Sequence, residues 1–250
     1  MDNNETIKKL KKMRIHGMAR AFEETLHTSL EEKFTSDELI AHLAETEWDD
    51  RHNRKLQRLI KAAKFRTRAT FQQIDFHLNR NLDKNMMLRL SNCNWIKEKK
   101  NILLTGSTGV GKSFIAEALG HQACVHGFKT ADFITQKLFA ELKRAKGDGT
   151  YFDKIKRIGK QDVLILDDFG LQHPFDAHAR QFLLEIMDDR YGLKSTIIAS
   201  QFPVSKWHEI IGDPTIADAF CDRLIHSACK IDLKGESVRK NYSGKEKNDF

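Results

Sequence analysis

The residues Gly106–Ser113 carry the most specific chemical pattern in the chain. They read GSTGVGKS, which fits GxxxxGK[ST], and they stand between an apolar segment, NILLT, and the helical sequence FIAEALGHQAC. In that context the glycines let successive backbone amides face a phosphate chain, and the following helix adds the positive end of its dipole. We expect Lys112 to reach the β- and γ-phosphates and the Ser113 hydroxyl to bind Mg²⁺. The predicted triphosphate site comprises Gly106, Ser107, Thr108, Gly109, Val110, Gly111, Lys112, Ser113 and Phe114.

Two adjacent carboxylates, Asp167 and Asp168, follow four apolar residues in the sequence VLILDDFG. Ligands bind at the carboxyl ends of strands in parallel sheets, so we expect this pair at the same edge as the glycine-rich loop. The first acid suits a Mg²⁺ ion held through water, and the second suits polarisation of an attacking water molecule. An acidic pair also commonly begins a loop, but together with the phosphate-binding pattern it predicts nucleotide hydrolysis, or at least nucleotide-dependent switching.

Three further residues are candidates for contact with the γ-phosphate. Gln201 follows the apolar run STIIAS, where its amide would hydrogen-bond the γ-phosphate or its water, although a surface glutamine fits the spacing equally well. Phosphoryl transfer gains about 10³- to 10⁵-fold from an arginine at the γ-phosphate, and the glycine-rich loop contains none. Arg223 stands at the end of a predicted helix and Arg239 after the last predicted strand. Periodicity does not separate either from an ordinary surface arginine.

Positive charge is concentrated in a short part of the chain. Residues 51–68, RHNRKLQRLIKAAKFRTR, contain eight Lys or Arg residues and no acid, and the net charge of the whole chain is +7 at pH 7. A second cluster, residues 143–160, contains seven Lys or Arg residues and two acids. Most charge runs are solvated surfaces, but such asymmetry also indicates a polyanionic partner. The scarcity of interleaved aromatic residues favours contact with the phosphate backbone over stacking with bases.

Part of this charge has local partners. Glu47 and Asp50 stand four residues before Arg51 and Arg54, a spacing that pairs opposite charges on a helix, and Arg66 is among the basic residues left without a local partner. The residues that we predict to contact double-stranded DNA are Arg51, Arg54, Lys55, Arg58, Lys61 and Lys64.

Hydrophobic periodicity divides the chain into a helical first part and an α/β remainder. The capping box Thr35–Glu38 begins an amphipathic helix that we expect to reach about Lys64, and an earlier helix or pair over residues 6–30 is expected to pack against it. That packing is expected around Leu10, Met18, Phe22 and Leu26. After a polar connector at 66–95, short apolar runs alternate with helical segments, which predicts a parallel sheet covered on both faces. The predicted strands are 101–106, 130–135, 162–168, 195–200 and 228–233.

Composition limits the remaining alternatives. The hydrophobic content is 40%, and no apolar run approaches the ~20 residues of a membrane span. The N-terminal sequence MDNNETIKKLKK lacks the apolar core of a signal peptide, and the four cysteines form no CxxC pair. We therefore expect a soluble, cytoplasmic protein with reduced cysteines, without a membrane partner and without a metal site built from cysteine and histidine.

Five segments in this order and spacing resemble the IstB-like ATPases, AAA+ helper proteins of bacterial insertion sequences that are similar to the DnaC helicase loader and the DnaA initiator. The segments are GSTGVGKS, LILDDFG, ASQFP, DRLIHSA and KGESVR. The resemblance is strong over about residues 70–240 and looser in the helical N-terminal part, with which we include TFQQIDF at 70–76. It implies an AAA+ P-loop fold with a five-stranded parallel sheet flanked by helices and preceded by a small all-helical domain. The domains implied are 1–68 for DNA binding and assembly, 69–240 for the ATPase, and 241–250 as a flexible tail.

The resemblance also implies a role for each motif residue. Asp167 would be the magnesium acid, and Asp168 would stand where the family often has a catalytic Glu. Gln201 would occupy the sensor-1 position, Arg223 would be the arginine finger of a neighbouring subunit's site, and Arg239 would be the sensor-2 arginine. Asp168 is one methylene shorter than Glu, and Gln201 replaces the more common Asn. We therefore expect slow hydrolysis that acts mainly as a timer for assembly.

The activity implied is ATP- and Mg²⁺-dependent self-association on duplex DNA, selection or remodelling of a target site, and stimulation of a partner transposase. Helicase loading of the DnaC type is the near alternative. A P-loop kinase for a small acceptor is a different class, but no arginine-rich lid or acceptor-binding segment is evident. A protein that coats DNA and uses ATP only to hold its subunits together is a third class.

Overall fold

The computed structural model describes residues 2–27, 34–226 and 228–238 of the 250-residue chain. Contacts divide the chain into two compact units, Met1–Arg58 and Leu59–Phe250. The sequence placed the division ten residues later, between residues 68 and 69.

The first unit is helical. Its helices are α1 (Asn3–Lys12), α2 (His16–His27) and the greater part of α3, which spans Ser36–Ala63. The helical segment predicted before the long helix, as one helix or a pair, is a pair, and the predicted capping box is confirmed. The amide and hydroxyl of Thr35 both donate to Glu38 Oε2 at 2.8 Å, and the Glu38 amide donates back to Thr35 Oγ1 at 3.4 Å. The helix ends before Lys64, whose φ of 59° is left-handed.

The contact between α2 and α3 differs from the apolar packing that was expected. The amides of Gly17 and Met18, in the first turn of α2, donate to the buried Glu47 carboxylate at 2.8 and 3.2 Å. A carboxylate at a helix N-terminus satisfies orphan amides and complements the helix dipole. Ile40 and Trp48 of α3 are 65% and 71% exposed, so two of the apolar residues of this helix face solvent. The four residues expected at the interface, Leu10, Met18, Phe22 and Leu26, are only half-buried.

The second unit contains a parallel sheet, as predicted. Its strands are β1 (Asn101–Gly106), β2 (Thr130–Ile134), β3 (Val163–Phe169), β4 (Ser195–Ser200) and β5 (Ala228–Leu233), each within one residue of its predicted bounds. The strand order is β2-β3-β4-β1-β5, and every pairing is parallel. The carboxyl ends of β1, β3 and β4 therefore lie next to one another at one edge.

Helices cover both faces of the sheet. They are α4 (Lys84–Ser91), α5 (Asn94–Lys97), α6 (Lys112–Val125), α7 (Thr135–Asp148), α8 (Tyr151–Gly159), α9 (Ala177–Arg190), α10 (Trp207–Ile211) and α11 (Pro214–Ile225). Alternate residues of β3 enter two separate cores. Ile165 packs in the core that contains α6, whereas Leu164 and Leu166 pack in the core that contains α7, α9 and α11. Burial on both faces is what makes these strands continuously apolar.

The expectation of a polar connector at residues 66–95 is wrong. A 3₁₀ turn, Phe71–Gln73, and the helices α4 and α5 fill this segment. Its apolar residues occur singly or in short runs among polar ones, so the average composition conceals them, but they lie in the core on the α6 face. Those buried there are Ala69, Ile74, Met87, Leu90, Cys93, Trp95 and Ile96. Among the helices that the structure describes, none is long and apolar enough to cross a bilayer.

Candidate nucleotide site

A cavity of about 360 Å³, here called the nucleotide pocket, opens at the carboxyl edge of the sheet, against the loop between β1 and α6. The loop curls because its three glycines, Gly106, Gly109 and Gly111, have φ values of 140°, 86° and 97°. Those left-handed angles strain any residue with a Cβ. At Gly106 a Cβ would also lie 2.2 Å from the carbonyl oxygen of Leu233. The chain therefore bends into a phosphate-binding turn only with these glycines in place.

The predicted loop residues line this pocket or support it. Thr108, Gly109, Gly111, Lys112, Ser113 and Phe114 are among its lining residues. Val110 points the other way and is fully buried in the core, so that it offers only its backbone to a ligand. The Nζ of Lys112 folds back on the loop and donates to the carbonyls of Gly106 and Ser107, both at 2.8 Å.

Asp168 lines the pocket from the end of β3, as predicted. The pairing of β3 with β4 shifts register between Leu166 and Phe169, and Asp168 has a left-handed φ of 52°. Such bulges re-aim side chains next to active sites, and Asp and Asn adopt left-handed backbone more readily than longer residues do. The backbone at this position therefore favours Asp over the Glu that the family resemblance suggests.

Gln201 reaches the pocket from the end of β4. Its Oε1 accepts a 2.7 Å hydrogen bond from the hydroxyl of Thr108 in the glycine-rich loop. The sequence left surface exposure and phosphate contact equally open for Gln201, and the structure places its side chain across the mouth of the loop. This bond ties the end of β4 to the loop that would hold the phosphates.

Asp167 is placed differently from its neighbour. It is 1% exposed and is not among the residues that line the pocket. Its carboxylate takes part in a group that we call the Arg66 cluster, defined as Arg66, Glu117, Asp132 and Asp167. Arg66 Nη2 pairs with Asp167 Oδ2 and lies 3.3 Å from Glu117 Oε1, while Arg66 Nε lies 3.3 Å from Asp132 Oδ2.

This cluster places three buried acids around one cation. Burial raises the pKa of Asp132 to about 7 against the opposing charge of Arg66. Partial burial opposes ionisation of Arg66, but its hydrogen bond to Asp167 and the charges of Asp132 and Asp167 raise its pKa. Next to it, the amide and hydroxyl of Thr67 both donate to Glu117 Oε2 at 2.7 Å. The residues that follow α3 are therefore fastened to α6, β2 and β3.

Arg66 was counted among the residues of the basic run without a local partner, and that expectation is incomplete. Its partners are distant in sequence, between 51 and 101 residues away. A helical spacing rule finds only partners three or four residues away, so it could not predict these distant ones. The positive charge of Arg66 is paired with acidic side chains inside the second unit.

The residues predicted to hold Mg²⁺ fit such an ion. Asp167 Oδ1 is buried and has no hydrogen-bond partner among the described residues, which leaves one hard oxygen available. Ser113 stands in the first turn of α6, one turn before Glu117, and so on the helix face that meets the Arg66 cluster. The described residues contain no group of three His, Cys, Asp or Glu side chains able to hold a metal. A phosphate-bound Mg²⁺ needs none, because phosphates and water complete its shell.

Arg223 is remote from the nucleotide pocket. It lies near the end of α11, where Nε pairs with Asp188 Oδ1 at 2.7 Å and Nη1 donates to the Ala219 carbonyl at 2.8 Å. The next residue, Leu224, accepts a hydrogen bond from Asn101 at the amino end of β1. Arg223 therefore stands at the opposite sheet edge from the glycine-rich loop of its own chain. Arg239, the other predicted arginine, lies outside the described residues.

The sequence reading missed one wall of the pocket. This wall belongs to the segment that was predicted to be a polar connector. Its lining residues are Thr67, Gln73, Asp75, Leu78 and Arg80. None of these residues stands in a pattern typical of nucleotide binding. The only available signal was the loose family likeness of TFQQIDF, residues 70–76, which lies within this wall.

The six predicted DNA contacts fall into two groups. Arg51 and Arg54 pair with acids: Arg51 Nε lies 2.5 Å from Glu47 Oε1, and Arg54 Nε lies 2.7 Å from Asp50 Oδ2. The other four are exposed, and none of them forms an ion pair within the part of the chain that the structure describes. These four are Lys55, Arg58, Lys61 and Lys64.

The family model for IstB-like ATP binding proteins matches residues 8–246, nearly the whole chain. This chain belongs to the IstB-like family. A relative from Sinorhizobium fredii, the putative insertion sequence ATP-binding protein y4pL, is 45% identical over 236 residues, covering 94% of this chain and 96% of the relative. The putative ATP-binding protein of insertion sequence IS1162 from Pseudomonas fluorescens is 40% identical over 206 residues, covering 82% and 89%.

Solved structures show the AAA+ type of fold in this IstB-like chain. The DnaI structure has a TM-score of 0.57 at 22% identity and covers 71% of this chain and 94% of its own. The DnaC helicase loader has a TM-score of 0.53 at 20% identity, covering 66% and 97%. The initiator DnaA, solved with AMPPCP and single-stranded DNA, has a TM-score of 0.55 at 17% identity, covering 74% and 56%. The predicted fold class and family are confirmed.

Replacing Arg66 with Met is expected to destabilise the IstB-like fold by about 3 kcal/mol, the lower end for breaking a buried ion pair, because a third of the Arg66 side chain is exposed. Urea unfolding of the purified protein measures the effect. Arg68→Met is the matched control, since Arg68 is exposed two residues away. Equal stability of the two variants would show that the three acids do not need Arg66.

Proposed function

We propose that this chain binds ATP with Mg²⁺ in the nucleotide pocket, hydrolyses it slowly, and uses the bound nucleotide to control self-association on duplex DNA in the service of a transposase. The observation that carries the proposal is the convergence of Lys112, Ser113, Asp168 and Gln201 on one cavity. They come from the ends of β1, β3 and β4, which is the arrangement that phosphoryl transfer requires.

Each of these residues has a part in the proposed reaction. The amides of the glycine-rich loop and Lys112 hold the phosphates. Ser113 and Asp167 would hold a Mg²⁺ ion, which would supply positive charge to the phosphate oxygens. Asp168 accepts a proton from the attacking water, and Gln201 orients that water or the γ-phosphate. Because Asp168 is short and Gln201 is already tied to Thr108 at 2.7 Å, we expect slow turnover.

The assignment to transposition rests on the relatives. The two relatives reported above are named insertion sequence ATP-binding proteins, and their matches cover 94% and 82% of this chain. DNA binding rests on charge: Lys55, Arg58, Lys61 and Lys64 are exposed cations that would release counterions from duplex phosphates. Self-association rests on Arg223, which stands too far from its own pocket to serve it and is suited to the pocket of another copy.

Asp168→Asn is expected to keep ATP affinity and to lower ATP turnover by about 10²- to 10⁴-fold, the usual contribution of a general base. Asn suits the left-handed backbone at this position, so the fold should be retained. Light scattering with ATP and a random duplex should show assemblies that form as in the wild type and then persist. Lys112→Ala, which removes the phosphate-binding cation, should show no assembly at all. Unchanged turnover in Asp168→Asn would remove its role as the base.

Converting Arg58, Lys61 and Lys64 together to Glu should strongly weaken duplex binding and leave ATP binding intact. Each lost phosphate contact should also reduce the salt slope of log K by about 0.9. The matched control reverses three exposed bases elsewhere, Lys84, Arg89 and Lys97, for the same change in net charge. Fluorescence anisotropy with a labelled random duplex, at several salt concentrations, measures both. Retained affinity with an unchanged slope would make the basic part of α3 a solvated surface.

Arg223→Ala and Lys112→Ala should each lack DNA-stimulated ATP turnover when alone, but a mixture of the two should recover part of it. The Arg223→Ala subunits keep an intact phosphate loop, and the Lys112→Ala subunits supply the arginine in trans. Steady-state turnover at varied mixing ratios measures the recovery. Normal turnover of Arg223→Ala alone would exclude the role in trans.

A further inference from the structure

One wall of the nucleotide pocket contains an arginine that belongs to the same chain. Among the described residues that line this pocket, Arg80 is the only arginine. It belongs to the segment between α3 and α4, outside every motif that the sequence identified. Arg223 lies at the opposite sheet edge. Within the described structure, Arg80 is therefore the arginine of the same chain that lines this cavity.

The position of Arg80 is fixed by contacts on both its side chain and its backbone. The residue is 5% exposed, and its Nη2 donates to the carbonyl of Asp75 at 2.8 Å. Its own carbonyl accepts from the amide of Lys234 at 3.1 Å, just after β5. Hydrogen bonds therefore hold both the side chain and the backbone of Arg80 in place, so its guanidinium is not a mobile surface group.

The guanidinium packs against the phosphate-binding loop. A Cβ built on Gly111 would lie 2.8 Å from Arg80 Nη1, so the guanidinium occupies the space that a side chain at this glycine would need. Gly111 immediately precedes Lys112 and Ser113, the two residues that bind phosphate and its Mg²⁺ in this type of loop. Arg80 thus stands at the phosphate end of the pocket.

The chemistry of arginine suits this place. The guanidinium is always charged and presents a planar set of donors that matches phosphate oxygens. Out of bulk water its attraction to a phosphate is stronger than it would be on an open surface.

We propose that Arg80 is a nucleotide-binding residue whose guanidinium contacts the phosphate chain of ATP in the same subunit. This inference rests on the proposed ATP site and adds a phosphate-contacting residue that the loop motif does not contain. It also gives the wall formed by residues 67–80 a function, because that wall holds a cation over the loop.

Titration calorimetry of the full chain with ATP, ADP and adenosine tests the proposal. Arg80→Gln is expected to weaken ATP and ADP by about 10- to 100-fold, the range for hydrogen bonds to charged groups, and to leave adenosine unaffected. Arg89→Gln is the matched control, an exposed arginine on α4. Should Arg80→Gln fail to fold, Arg80→Lys keeps the charge but loses the paired donors, and the same selective loss is expected at smaller size.

Two results would overturn the inference. One is wild-type ATP affinity in both Arg80 variants. The other is an equal loss for ATP and adenosine, which would mean that Arg80 only shapes the pocket. Titrations of the wild-type protein and of Lys112→Ala with ATP show whether only the role of Arg80 is wrong or the proposed ATP site itself is wrong. If the wild type binds no ATP, the ATP site itself is wrong; if it binds ATP and only Lys112→Ala loses it, Arg80 alone is wrong.

Discussion

Three acidic side chains are buried in the second unit of this IstB-like protein, and one arginine is the partner they share. Glu117, Asp132 and Asp167 are each less than a tenth exposed, and Arg66 pairs with all three. Removing a charge from water costs several kcal/mol unless a partner compensates for it. The acid that we propose to hold Mg²⁺, Asp167, is one of the three, so this cluster and the proposed nucleotide site share a residue.

The location of that counter-charge determines the rest of the site. Arg66 and Thr67 follow α3 directly, and their bonds to Glu117 and Asp167 fasten the chain beside α6 and β3. From that anchor the chain continues through residues 70–80 and forms a wall of the nucleotide pocket that ends in Arg80. The exposed cations Lys61 and Lys64 precede the anchor by only a few residues. The proposed DNA contacts and the phosphate site are thus joined by a short covalent path.

Sequence alone predicted the elements whose signal is local. The five strands follow from their apolar runs, and the glycine-rich loop follows from its spacing after the first of them. For Gln201 the sequence left surface exposure and phosphate contact equally open. Sequence failed where the cause is distant: the partners of Arg66 are up to 101 residues away, and Arg80 meets Gly111 only through folding. The wall at residues 67–80 was missed because its buried residues are scattered among polar ones. The exposure of Ile40 and Trp48 on α3 was not foreseen because periodicity indicates an apolar face without indicating what covers it.

A double-mutant cycle between Arg66→Met and Asp167→Asn tests most directly whether this pair is the constraint on which the site depends. Four proteins, the wild type, the two single variants and the double variant, are unfolded in urea. If Arg66 is the counter-charge of Asp167, losing it costs less once Asp167 is neutral, and the coupling free energy should be about 2 kcal/mol. Additive effects, within about 0.5 kcal/mol, would contradict the account.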